Sequence, residues 1–329
     1  MKATRTSLIS LVAGTTCLLT SLPLFCPGSL MAANRADQEQ IDGPVTIESF
    51  PVPFPMGLAS DGDNIWVVDY FSGTGPQLDG SVTKLRASDG TVLATYTIPA
   101  FSSGIVFDGA NMWISSFYSG IEKLRVRDGA NLGTFDGGAG PIAMVFDGTN
   151  IWISNPTVNT VTELRVSDGM KLGSFPAGSS PGSITFDGSN VWVTNGSSTT
   201  VTKLRASDGT IVGTFSIGSQ PAGIAFQGDS IWVSSASAGT LTQLLASDGS
   251  IQGTFPAGAS PTEIAFSQTK VWVTNDIAGR GRVSGLRTSD ASRGGSYVVG
   301  SYPHEIIFDG NSLWISNEQS EVVKISGTR

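Results

Sequence analysis

The chain carries a single histidine, His304, and a glutamate, Glu305, follows it directly. A second glutamate, Glu263, lies about 40 residues upstream. An imidazole near carboxylates is the smallest set that can move protons at neutral pH. Two glutamates would also supply oxygen ligands to a divalent ion such as Mg or Ca. The same three residues equally suit a solvated, hydrogen-bonded polar rim. On a strand, His304 and Glu305 would face opposite sides, so the imidazole would work with Glu263 rather than with its neighbour. A second group reads as a recognition surface: Asp69, Tyr70 and Phe71; Phe117 and Tyr118; Asn275, Asp276, Arg280 and Arg282; and Tyr302. Aromatics beside polar groups on loops suit ligand capture, although such rings also fold back onto the body of a protein. No Walker-type phosphate loop, nucleophile elbow or histidine pair for zinc occurs.

These residues sit within an internal repeat. The seven tryptophans, Trp66, Trp113, Trp152, Trp192, Trp232, Trp272 and Trp314, recur about every 40 residues, each inside an apolar triplet such as "IWV" or "LWI". One unit, residues 181–220, contains four short runs rich in Val, Ile, Thr and aromatics, which is strand chemistry. Ser183–Phe186 is run A, Val191–Thr194 is B, Thr200–Ala206 is C and Thr210–Ile217 is D. Asp187-Gly188 and Asp208-Gly209 separate A from B and C from D, as tight hairpins require. Those pairs read as turns rather than calcium loops, because no cluster of further oxygen ligands accompanies them. Four-stranded units repeated at this period predict an all-β, seven-bladed β-propeller.

The seventh unit stops after C, at Glu321–Ile325. Residues 46–52, "TIESFPV", match the D run "KLGSFPA" at 171–177. The N-terminal strand is therefore expected to complete the last blade and close the ring, which removes an exposed sheet edge. Tryptophan in B, Phe in A and Phe or Tyr in D should pack between blades. The recurring Arg of run C (Arg86, Arg125, Arg165, Arg205, Arg287) should pair with turn carboxylates.

Strand A lies nearest the axis, where small residues fit. The corresponding positions are Gly57, Gly104, Ala143, Ser183 and Gly223 in blades 1 to 5, then Glu263 and Glu305 in blades 6 and 7. The two carboxylates break the pattern and point to the channel mouth. The varied B–C loops also fall in blades 6, 7, 1 and 2, the longest spanning Asp69–Gly80. Blades 3 to 5 carry plain loops.

Composition narrows the class. The net charge is −8, with 14% charged residues and 41 glycines. Such a surface repels phosphate backbones, so no nucleic-acid partner is expected. Residues 1–33 read as a signal peptide: Lys2 and Arg5, an apolar stretch from Leu8 to Phe25, then Ala32 and Ala33. Residues 34–44 read as a polar leader and 45–329 as a single propeller domain. Both cysteines, Cys17 and Cys26, would leave with the signal. No stable membrane span is expected after its removal, and a monomer is expected.

"VWVTN" at 191–195 and 271–275, with "SDGTIVGTF" at 207–215, resembles the YVTN-type β-propeller repeat across roughly residues 45–326. The wider group includes the virginiamycin B (streptogramin) lyases, seven-bladed enzymes, and the quinone-dependent dehydrogenases. The lyase resemblance implies a His base, glutamates and magnesium. This chain has one histidine where those lyases use more than one. It also lacks the cysteine pair of many quinoproteins. The leading expectation is thus a secreted or periplasmic binding or scaffold module for a small molecule, glycan or protein. The alternative is a metal-assisted lyase using His304 with Glu263 or Glu305.

Overall fold

A computed structural model of the chain describes residues 44–71, 79–277, 279–318 and 320–328. The expected signal peptide, the leader up to residue 43 and the centre of the long blade 1 loop lie outside these residues. Among the described residues there are seven four-stranded antiparallel sheets and no helix, hence none long and apolar enough to cross a membrane. The chain is a seven-bladed β-propeller. We letter the strands A to D from the axis outward.

Closure follows the sequence reading. Thr46–Pro51 pairs antiparallel with Glu321–Ser326, from Thr46 opposite Ser326 to Pro51 opposite Glu321, and is the outermost strand of blade 7. The join is also packed. Trp314 of blade 7 shares one apolar cluster with Leu58, Ile65, Val67 and Leu85 of blade 1. Phe50 stacks on Trp314 with ring centroids 5.7 Å apart. It also lies against Gly90 in the blade 1 C–D turn, where φ is +70° and a Cβ would fall within 2.0 Å of the ring. Glycine alone meets both demands there.

Three polar fastenings recur around the ring, each in at least four blades. The A–B turn aspartate accepts the tryptophan indole N–H in five blades, as in Trp192 Nε1 to Asp187 Oδ2 at 2.7 Å. The strand C arginines 86, 125, 165 and 205 pair with C–D turn aspartates. The third fastening was not anticipated. Strand C lysines 84, 123, 203 and 324 lie over their own blade's tryptophan, at 4.4 to 5.3 Å from the ring centroid. Each then donates to backbone carbonyls of the next blade's C–D turn. Lys324 reaches Ala87 and Ser88 of blade 1, both at 2.8 Å, so the same device spans the closure.

Candidate functional site at the channel mouth

The D–A and B–C loops share one face. The carbonyl of the last D–A residue accepts the N–H that opens the B–C loop: Tyr70 to Phe54, Phe117 to Phe101, Gly196 to Ser180 and Glu318 to Tyr302. Below this face runs the central channel, lined by all seven A strands and enclosing about 570 Å³. A second cavity of about 590 Å³ opens above it, on the side of blades 3 to 7. Glu263, His304, Ser183 and Ile142 line both.

Glu263 and Glu305 are set by their neighbours in strand B. The Glu263 N–H donates to Thr274 Oγ1 at 2.9 Å, and the Glu305 N–H donates to Ser316 Oγ at 3.0 Å. Ser316 in turn donates to the Met56 carbonyl of blade 1 at 2.6 Å. The strand A backbone carrying both carboxylates is therefore pinned. The Glu263 side chain passes across Gly223 of blade 5, where a Cβ would come within 3.0 Å of Oε2. It accepts a hydrogen bond from Ser183 Oγ of blade 4 at 3.2 Å. Glu263 thus spans two blades, through room that the small residues leave.

Both glutamates are half-buried and line the lumen. Their surroundings are mainly apolar, including Ile184, Ile224, Ile264 and Ile306. Desolvation pushes the Glu263 carboxyl above the ordinary carboxylate range, opposed by the Ser183 hydrogen bond. Desolvation raises Glu305 further, and the neighbouring Glu263 charge adds to it. Such a pair holds a proton at pH values where isolated glutamates are ionised.

His304 has a different partner from the one expected. Its Nε2 lies 3.1 Å from Glu318 Oε1, in the B–C loop of blade 7. Glu318 was missed because a loop-tip carboxylate carries no periodic signal. Its position follows from the bond between its N–H and the Tyr302 carbonyl. Among the described residues, no group of three or more His, Cys, Asp or Glu is arranged to hold a metal ion.

The loop-face residues divide into three sets. Asp69 and Asn275 are buried and do not face ligand space. Asp69 Oδ2 accepts from Ser81 at 2.5 Å and Thr83 at 3.2 Å. Asn275 Nδ2 donates to the Ala257 carbonyl at 2.8 Å and the Ala259 carbonyl at 3.3 Å beneath the D–A loop. Asp276 and Tyr302 line the mouth cavity. Arg280 is exposed, and Arg282 donates to Ser296 at 3.0 Å within blade 6.

Tyr70, Phe71, Phe117 and Tyr118 form an edge-to-face chain of rings with Phe101, and Phe54 touches it through Phe71. Phe54 and Phe101 were missed by the sequence reading. With Tyr302, they hold the same D–A turn position in blades 7, 1 and 2, at φ of +50° for Tyr302, +39° for Phe54 and +62° for Phe101. Blades 3, 4 and 6 place Gly140, Ser180 and Ser260 there, also at positive φ. The mouth cavity draws on blades 3 to 5 through Pro156, Ser180, Gly196 and Pro221. It therefore extends beyond the sector in which the varied loops cluster.

No family model matches the chain, and no curated protein matches it. Among solved structures, selenomethionine-substituted virginiamycin B lyase from Staphylococcus aureus aligns over 86% of this chain and 99% of its own, with a TM-score of 0.71 and 20% identity. The chain shares that lyase's propeller fold. At this identity the likeness speaks for architecture, because one propeller scaffold carries many chemistries.

Proposed function

We propose that this chain is an exported propeller, periplasmic or secreted, that binds a small molecule at the mouth of its channel. One observation carries the reading. In the cavity of about 590 Å³, Glu263, Asp276, Tyr302, His304 and Glu318 converge beside small and proline-rich walls. That volume suits a ligand of modest size, and a few polar groups on a largely preformed wall are what specificity needs. The loop-borne Glu318 and strand-borne His304 brace each other, so the wall is preorganised. The test is a thermal-shift ligand screen on the protein, repeated with His304→Ala and Glu318→Ala. A ligand that raises the melting temperature should lose most of that effect in both variants. An undiminished shift in both would place binding elsewhere.

A second reading follows from the His304–Glu318 pair. A carboxylate that orients an imidazole can prepare it as a base. The structural neighbour is named a virginiamycin B lyase, so elimination on a related substrate is the corresponding activity. No three-residue metal group supports the metal-assisted form among the described residues. Incubation with virginiamycin B, with and without magnesium and followed by mass spectrometry, decides it. Intact substrate after long exposure to the wild-type protein removes this reading.

A further inference from the structure

The channel below the mouth has its own chemistry. It encloses about 570 Å³ and is walled by branched apolar side chains, Ile105, Ile184, Ile224, Ile264 and Ile306 among them. Two carboxyls face this space from adjacent blades. Glu305 is half-buried, and its carboxylate accepts a hydrogen bond from the N–H of its own neighbour, Ile306, at 3.3 Å. Glu263 has the neutral Ser183 hydroxyl. Among the described residues, no lysine or arginine lines either cavity. The exposed C–D turn aspartates 89, 128, 168 and 208, by contrast, each have an arginine. A partly desolvated carboxylate without a counter-charge is costly, and a ligand bearing that charge reduces the cost.

Resting on the binding function proposed above, we infer that the channel takes a small hydrophobic amine, its ammonium between Glu263 and Glu305 and its apolar part along the isoleucine wall. The ammonium supplies three N–H donors to acceptors that have few. The alkyl part gains by leaving water. An alcohol would keep the apolar gain without the charge, and a carboxylate would meet repulsion. The remaining ionisable groups facing this region are His304, Glu318 and Asp276, on the mouth side. Burial holds both glutamates above the ordinary carboxylate range, so the pair gains its negative charge as pH rises. Affinity should therefore rise as pH increases from 5 to 8, since an alkylamine keeps its proton to about pH 10.

Titration calorimetry with hexylamine, 1-hexanol and hexanoate tests this on the wild-type protein and on the Glu263→Gln/Glu305→Gln double variant. Hexylamine should bind at least tenfold tighter than 1-hexanol. The double variant should lose that preference while retaining its 1-hexanol affinity. If the double variant melts early, Glu305→Gln alone should lose most of the preference. Equal binding of hexylamine and 1-hexanol, or a preference that survives the substitutions, overturns the amine assignment and leaves the mouth reading intact. Binding of none of the three also overturns it, while the ligand screen still decides the mouth reading separately.

Discussion

Asp69 shows how a single residue can mislead a sequence reading and still be explained by its surroundings. At the end of strand B, blades 3, 4, 6 and 7 carry Asn155, Asn195, Asn275 and Asn317, all buried, and blade 1 carries Asp69. Burial pushes the Asp69 carboxyl up to about 7, opposed by Ser81 and Thr83. A protonated carboxyl has nearly the shape of the asparagine amide it replaces. The unfolded chain releases this proton near pH 4 and the folded one near pH 7. Native protein thus holds the extra proton between those values, and stability falls as pH rises across that window, by about 1.4 kcal/mol per unit for this group. Asp69→Asn should flatten this part of the melting-temperature profile and raise stability at pH 7.5. Glu263 and Glu305 are displaced in the same direction. Asp69 looked like a loop ligand because it opens the longest B–C loop. Its burial depends on Ser81 and Thr83, which lie across the hairpin. Glu263 and Glu305, by contrast, were legible, because a carboxylate stands out where five blades carry Gly, Ala or Ser.

At the scale of elements, strand C alternates between holding its own blade and reaching the next. Blade 3 departs from the lysine pattern with Glu163, which is pushed up to about 7 by desolvation and by the nearby Asp147. Glu163→Lys should restore the contact over Trp152 and reach the Ala206 carbonyl, as Lys123 reaches Val166. A gain of about 1 kcal/mol is expected, read as a rise of roughly 2–4 °C in melting temperature. An unchanged or lower value would mean that the lysine fastening does not transfer to this blade. The D–A turns give the opposite trade. A bulky residue at positive φ costs about 1–3 kcal/mol. Phe54 is 52% exposed, and its ring contact is with Phe71 at 6.4 Å. Phe54→Gly should therefore melt no lower than wild type. A clear loss of stability would show that the ring is fixed by packing rather than kept for the loop face. Sequence named Tyr302 but missed Phe54 and Phe101, because the left-handed turn is set by the strand geometry around it, and "FP" and "FS" look like ordinary loop dipeptides.

The ring as a whole was the most legible feature, because tryptophan spacing and Asp-Gly turns are both periodic and fix the blade count. Closure was readable for the same reason, since Phe50 and Pro51 reproduce Phe175 and Pro176. Contacts that cross between blades were not. Lys324 to Ala87, Glu263 to Ser183 and Ser316 to Met56 join positions remote in the chain, which only the circular arrangement brings together. A chain beginning after Pro51 should lose the outer strand of blade 7 and the Phe50 cover on Trp314. Its melting temperature should drop by well over 5 °C, and size-exclusion chromatography should show self-association through the bared Glu321–Ser326 edge. A monomer of wild-type stability would mean that the strand is dispensable.

The pairing of Thr46 with Ser326 also bears on when this protein becomes itself. Thr46–Pro51 is synthesised early and waits, without its neighbour, until Glu321–Ser326 has followed. Blades 1 to 6 can each form from local hairpins as they emerge, but the circle admits no partial version. Maturation therefore ends in a late, long-range event. A channel whose two carboxylates sit in the last two blades gains its full lining only when that event is over.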